Sequence, residues 1–112
     1  MTDSIKDTVS RLCRKCKTCD PWELVKSLNI IVVFEPLGTV NGYFGRSYRH
    51  KVIHINEDLS EKKARFVLCH ELGHAILHPQ TNTPFLKENT LFSVNRLEVE
   101  ANRFAMRLCY PD

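Results

Sequence analysis

The sequence predicts an α+β domain with a small three-stranded sheet, mixed or antiparallel, packed against helices. Helical periodicity occurs at both ends of the chain and again after residue 60, whereas the β-branched and alternating segments lie together in residues 30–56. A length of 112 residues with 43% hydrophobic side chains suits one domain with one core. We therefore predict that residues 1–112 form a single domain.

Composition excludes several classes of protein. The apolar fraction is too high for a disordered tail, and a net charge of +3 is too small to indicate nucleic-acid or anionic-lipid binding. The strongly apolar run at 30–34 is too short to span a membrane, and the polar N-terminus lacks the apolar core of a signal peptide. Five cysteines cannot all pair in a closed disulfide framework. We expect a cytoplasmic protein without a membrane partner or direct nucleic-acid contact; the oligomeric state stays open.

Two short helices are predicted within residues 4–28. The first has apolar residues at helical spacing, and the second follows Asp20, a suitable N-cap, with Pro21 at its first position. Asn29 is a plausible helix stop. The apolar positions of the two helices are Ile5, Val9 and Leu12, then Trp22, Val25 and Leu28.

The sheet is predicted within residues 30–56. The continuous β-branched run at 30–34 indicates a strand covered on both faces. Turn residues follow, with Asn41-Gly42 the last of them, and residues 42–56 then read as a hairpin that turns near Arg49-His50.

Two longer helices complete the prediction. One covers residues 61–78, beginning after Ser60 and ending before Pro79, and the other covers residues 95–109. The segment at 79–93 is predicted to be a loop. The apolar face of the last helix consists of Leu97, Ala101, Phe104, Ala105 and Leu108.

The helix at 61–78 contains His70-Glu71-Leu72-Gly73-His74, an H-E-x-x-H motif. Four residues advance a helix by about 400° and 6 Å, so both imidazoles leave one face a turn apart and suit a single zinc ion. Glu71 lies 100° from His70, where it flanks the metal and is positioned as a general base for an attacking water. The apolar residues around the motif favour this interpretation over two incidental surface histidines.

A catalytic zinc site needs a third protein ligand. The extended H-E-x-x-H-x-x-G-x-x-H pattern is excluded because Leu77 and Gln80 occupy its glycine and histidine positions. His78 is rotated about 80° from His70 and lies a further turn away, too far to share the metal, so a histidine favoured by the helix C-terminus is the better interpretation. His78 is also kept as a candidate outer partner of a ligating histidine.

The last helix offers a carboxylate instead. Glu98 lies one turn from Ala101, Asn102 and Ala105, which predicts that it points inward. Glu100 shares a face with arginines and is predicted to point outward. Asn102 follows Glu98 on the same side and suits acceptance of the outer N–H of a ligating histidine.

These residues resemble those of the ImmA/IrrE family of zinc metallopeptidases, over roughly residues 20–111. The matching elements are the H-E-L-G-H-x-x-x-H helix with Arg65-Phe66 before it, the strand Ile53-His54-Ile55-Asn56, the turn Asn41-Gly42-Tyr43, and the pattern Glu98-x-Glu100-Ala101-Asn102-x-Phe104-Ala105-x-x-Leu108-x-x-Pro111. The resemblance implies a zincin-like fold and a gluzincin-type peptidase with Zn²⁺ held by His70, His74 and Glu98 and with Glu71 as the base.

The resemblance also implies a substrate and marks two departures. Family members often inactivate transcriptional repressors of phages or mobile elements, so the expected partner is such a repressor, bound in extended form along the 42–56 hairpin. Tyr43 is a candidate oxyanion donor. Many gluzincins have Asp where this chain has Asn102, and family members commonly continue past the position of Asp112, so we expect a further C-terminal region to be missing.

The cysteines at positions 13, 16 and 19 form a separate feature, with basic residues between them. Two-residue spacers suit thiolate–metal or redox sites, but no fourth ligand is evident, and incidental cysteines are the favoured interpretation.

Two alternatives to the peptidase remain. One is a zinc-fold module that binds a repressor without turnover, which the intact Glu71 argues against. The other is a nucleic-acid module using this basic segment, which the small net charge argues against.

Overall fold

The computed structural model describes residues 4–80 and 96–110 and confirms an α+β fold. The predicted loop at 79–93 lies almost entirely outside these residues. The elements in chain order are α1 (Ser4–Cys16), α2 (Pro21–Ser27), β1 (Ile31–Glu35), β2 (Gly42–Ser47), β3 (His50–Asn56), α3 (Glu61–Leu77) and α4 (Arg96–Cys109).

The sheet has the order β1-β3-β2 and is mixed. β3 pairs with β2 in antiparallel register, with Phe44 opposite Ile53, and with β1 in parallel register, with Val32 opposite Ile53. Of the two sheet types that the sequence left open, the mixed one is therefore correct. The parallel pair requires a crossover, and the hairpin strand β2 fills part of that connection before β3 pairs with β1.

Strand β1 is not covered on both faces, as its continuous apolar run had predicted. Ile31 is 43% exposed and Phe34 is 48% exposed. Among the described residues, β1 pairs on one side only, with β3. An edge strand has no neighbouring strand on one side to shield its side chains from solvent. An uninterrupted β-branched sequence is therefore compatible with partial exposure.

The core lies between the sheet and α3. Phe44, Ile53 and Ile55 are fully buried on one sheet face, and Leu68 and Leu72 of α3 are fully buried in the same cluster. Alternation along β3 places Ile53 and Ile55 on that face and leaves His54 on the other. The hydrophobic core thus fixes α3, the helix of the H-E-x-x-H motif, against the sheet.

Helices α3 and α4 pack closely along each other. A Cβ built on Gly73 would lie 3.1–3.2 Å from the Phe104 side chain, so the small residue in the middle of α3 admits the ring of α4. Glycine costs about 1 kcal/mol in a helix relative to alanine, and this contact offsets that cost. No helix in residues 4–80 or 96–110 is long and apolar enough to cross a membrane.

Gly42 provides a second close approach, between β2 and α3. A Cβ at this position would lie 2.7 Å from the backbone oxygen of His54 and 2.7 Å from Cγ1 of Val67. We expect Gly42→Ala to lower the free energy of unfolding by about 1–3 kcal/mol through overpacking. Urea denaturation measures this, with the exposed Ser47→Ala on the same strand as the control. Equal stability of the two variants would contradict the close packing.

Candidate metal centre

Helix α3 presents two imidazoles on one face. Ser60 caps the helix by accepting a hydrogen bond from the backbone N–H of Lys63 at 3.2 Å, and the helix continues for 17 residues to Leu77. His70 and His74, one turn apart, have ring centroids separated by 5.0 Å. His74 is fully buried and His70 is half-buried, so the pair opens toward the surface on the His70 side.

Helix α4 adds a carboxylate to this pair. Oε1 of Glu98 lies 2.8 Å from Nε2 of His70 and 3.2 Å from Nε2 of His74. The three potential ligand atoms lie within 4.8 Å of one another, and no other such cluster of His, Cys, Asp or Glu occurs in the described part of the chain. Two nitrogens and one oxygen at this spacing suit zinc, which then keeps a fourth position open.

Each imidazole has an outer partner on its Nδ1 atom. Nδ1 of His70 donates to Oδ1 of Asn102 at 2.8 Å, because an amide oxygen only accepts. Nδ1 of His74 lies 3.2 Å from Nδ1 of His78, and Nε2 of His78 donates to Glu100 at 2.7 Å. A neutral His78 has one ring hydrogen, which it donates to Glu100, so in that form its Nδ1 accepts from Nδ1 of His74.

These hydrogen bonds imply that a positive charge is required between the two imidazoles and Glu98. With hydrogen on Nδ1, a neutral His70 or His74 presents only a lone pair at Nε2, facing the carboxylate oxygen of Glu98. A hydrogen bond from either Nε2 to Glu98 then requires a second hydrogen on that ring and a positive charge. A divalent cation at the centre supplies positive charge without those hydrogens.

Glu98 fits the role of an anionic ligand. Without a metal, hydrogen bonding to protonated His70 and then to protonated His74 holds the pKa of the Glu98 carboxyl well below its usual range, against the opposing effect of burial. Its second oxygen, Oε2, is buried and has no hydrogen-bond partner among the described residues. A buried carboxylate oxygen without a partner is costly, and a bound cation would satisfy it. The residues present therefore fit a zinc ion.

Glu71 lies beside this cluster and is only 1% exposed. Its neighbour His70 and Asn102 of α4 line the same cavity of about 330 Å³, which opens at the surface next to the cluster. The other lining residues are Asn41, Lys63, Phe66 and Val67. A carboxylate in this position is adjacent to the metal ligands without belonging to their set.

Two sequence predictions need correction here. Glu100 does not point outward with the arginines at 103 and 107; it accepts hydrogen bonds from His78 and, at 3.4 Å, from Arg96, and the bond from His78 lowers its pKa. Tyr43 belongs to a different cluster, because its hydroxyl lies 3.5 Å from Glu35 and its ring stacks on His54 at 4.2 Å. Neither partner of Tyr43 belongs to the His70, His74 and Glu98 cluster.

Sequence reasoning missed the link between Glu100 and His78. The sequence predicts His78 at the helix end and as a candidate outer partner, but it identifies no acceptor for the His78 ring. The available signal was limited to the four-residue spacing of His74 and His78 on α3, because Glu98 and Glu100, which contact them from α4, are two residues apart and are not expected to share a helix face. Only the crossing of the two helices shows which carboxylate meets which ring.

The cysteines near the N-terminus do not form a metal cluster within the described residues. Cys13 and Cys19 form a disulfide, and Cys16 is a free thiol. The disulfide joins the end of α1 to the segment that leads into α2.

Comparison with known proteins identifies the family. The model of the IrrE N-terminal-like domain, peptidase M78, matches residues 25–112. Over 110 residues the chain is 31% identical to a protein named metallopeptidase ImmA from Bacillus subtilis strain 168, covering 96% of this chain and 64% of that protein. The chain belongs to the ImmA/IrrE family.

A second relative of the chain comes from a phage. The chain is 50% identical over 109 residues to the uncharacterized immunity region protein 2 of Bacillus phage phi105, covering 96% of this chain and 69% of that protein. The chain thus spans about two thirds of the length of both relatives. The ImmA/IrrE resemblance drawn from the sequence motifs is confirmed.

Proposed function

We propose that this ImmA/IrrE chain is a zinc-dependent endopeptidase of zincin-like architecture, with residues 1–112 as its catalytic domain. The observation that carries the proposal is the convergence of His70, His74 and Glu98 from two helices, with buried Glu71 beside them. Family membership in the M78 metallopeptidases supports the same chemistry.

His70, His74 and Glu98 would hold the metal, and Asn102 and His78 would orient the two imidazoles from outside. A zinc ion bound there supplies a Lewis acid for the scissile carbonyl and makes the attacking water more acidic. The burial of His74 excludes bulk water from one side of the site and keeps the local dielectric low.

Glu71 acts as the general base in this proposal. Its carboxylate accepts the proton of the attacking water and later transfers that proton to the leaving amine. Its position one residue after His70 places it on the flank of the ligand face, and the shared cavity gives substrate access to both residues.

Strand β2 is the proposed binding edge for an extended substrate. Within the described residues β2 pairs only with β3, so its other edge is open for main-chain hydrogen bonds. Asn41, which immediately precedes β2, lines the cavity that contains His70 and Glu71. A peptide paired along β2 would therefore pass the cluster.

The proposed substrate is a cytoplasmic transcriptional repressor of a phage or mobile element. The name of the phi105 relative, an immunity region protein, supports a role beside such a repressor. The test combines the purified chain with the repressor encoded next to its gene, and intact mass spectrometry follows the repressor. We expect discrete cleavage that stops with 1,10-phenanthroline and resumes when zinc is added back.

The same experiment distinguishes the alternative functions. A stable complex with the repressor and no cleavage, with zinc present, would favour a protein-binding module. Binding to DNA that weakens steeply with salt, with the repressor left intact, would favour a nucleic-acid module. Cleavage that persists in the chelator would rule out a metallopeptidase.

The outer chain of hydrogen bonds from His74 to Glu100 leads to a prediction on metal affinity. We expect Glu100→Gln to weaken zinc binding about 10- to 100-fold, because a neutral amide, which can also donate, holds the ring hydrogen of His78, and through it that of His74, less firmly than an anionic acceptor does. Competition with a chromophoric chelator measures the affinity. Glu61→Gln, at the exposed start of α3, is the control. An unchanged affinity in Glu100→Gln would show that this chain of bonds does not act on the metal.

A further inference from the structure

A pair of cysteines outside the proposed ligand set also joins helices α3 and α4. Cys69 precedes His70 on α3 and is fully buried, and Cys109 is the half-buried last residue of α4. Their sulfur atoms lie 2.9 Å apart and share a hydrogen bond, although the residues are 40 positions apart in the sequence. Both are free thiols, and the proposed metal site uses neither of them.

We propose that Cys69 and Cys109 are an oxidation site, at which a peroxide converts the two thiols into a reversible disulfide that cross-links α3 to α4. The sulfurs are already in contact, so the bond forms with little displacement of either helix. Helix α3 carries His70 and His74 and helix α4 carries Glu98, so the cross-link joins the two supports of the metal cluster.

The exposures of the two thiols indicate which sulfur reacts first. Cys109 reaches solvent, and hydrogen bonding to Cys69 lowers the pKa of the Cys109 thiol, which favours the thiolate at this sulfur. The Cys109 thiolate attacks hydrogen peroxide and, with one proton, gives a sulfenic acid and water. The Cys69 thiol then attacks the sulfenic sulfur, and the S–S bond forms as a second water leaves. Two thiols are oxidised and one peroxide is reduced.

The experiment treats the reduced full chain with a small excess of hydrogen peroxide, blocks remaining thiols with N-ethylmaleimide, and maps disulfide-linked peptides by mass spectrometry. We expect a Cys69–Cys109 linkage that dithiothreitol reverses. The cross-link closes a loop of 40 residues, so the oxidised chain should melt about 5 °C or more above the reduced chain. Because the mapping uses the unaltered chain, it does not depend on any variant folding or on peptidase activity.

Variants separate this site from the other cysteines. Cys13→Ser/Cys19→Ser removes the N-terminal disulfide and should retain both the Cys69–Cys109 linkage and the rise in melting temperature. Cys109→Ser should abolish both, whereas the matched control Cys16→Ser, at the other free and partly exposed thiol, should retain them. Oxidation of Cys109 to the sulfinic acid, or its linkage to another cysteine, would overturn the proposal.

Discussion

Glu71→Gln is expected to lower the rate of repressor cleavage by about 10²- to 10⁴-fold, the usual contribution of a general base. Glutamine has nearly the same size as glutamate but does not accept the proton of the attacking water. Glu71 is not within the cluster of His70, His74 and Glu98, so zinc content should remain near that of the unaltered chain. Single-turnover cleavage measures the rate, and elemental analysis measures the zinc.

Glu61→Gln is the matched control, because it makes the same change at an exposed position on the same helix. It should cleave at the normal rate. If Glu71→Gln also cleaves at the normal rate, then Glu71 is not the base. If Glu71→Gln loses its zinc as well, the separation between base and ligands proposed here is wrong.

Glu98→Ala is expected to reduce zinc affinity by more than about 100-fold, beyond the effect of losing an outer partner such as Glu100. Among the described residues, the variant removes the only anion whose oxygen lies within 3.2 Å of both His70 and His74. It also removes the buried Oε2 atom, which has no partner among the described residues, and this gain offsets part of the folding stability that the metal-free form loses with the two Oε1 contacts. Chelator competition and thermal melting with and without zinc measure the two effects.

Met106→Ala serves as the control on the same helix, since Met106 is 51% exposed and lies outside the cluster. Its zinc affinity should be unchanged. Stoichiometric, tightly bound zinc in Glu98→Ala would contradict the ligand set, because two histidines alone do not complete a catalytic zinc site. His74→Ala should lose zinc in the same way, with an added loss of stability from the cavity at this fully buried position.

Local patterns were enough to predict the helices and the general fold. The 3.6-residue spacing of Ile5, Val9 and Leu12 predicted α1, and all three are buried. Ser60 and Pro79 marked the two ends of α3, and the Ser60 hydroxyl caps the start of this helix. These signals are carried within a few residues of chain, because helix capping and periodicity are local properties.

Sheet position was not predictable in the same way. The sequence of β1 is as apolar as that of a covered strand, and yet Ile31 and Phe34 are largely exposed. Whether a strand lies at the edge or in the centre depends on the order β1-β3-β2, which is decided by long-range pairing. The apolar content of this segment therefore predicted a β-strand, but it did not predict whether the strand lies at the edge or in the centre of the sheet.

By itself the sequence determined that His70, Glu71 and His74 lie together, because their spacing on one helix leaves no other arrangement. It also limited the candidates for the third ligand to a carboxylate of the last helix. The tertiary structure alone decided which groups on α4 face which groups on α3: Glu98 meets both imidazoles, Glu100 meets His78, and Cys109 meets Cys69. These pairings depend on the angle and register of two helices that are far apart in the chain, and side-chain packing such as that of Phe104 on Gly73 sets both.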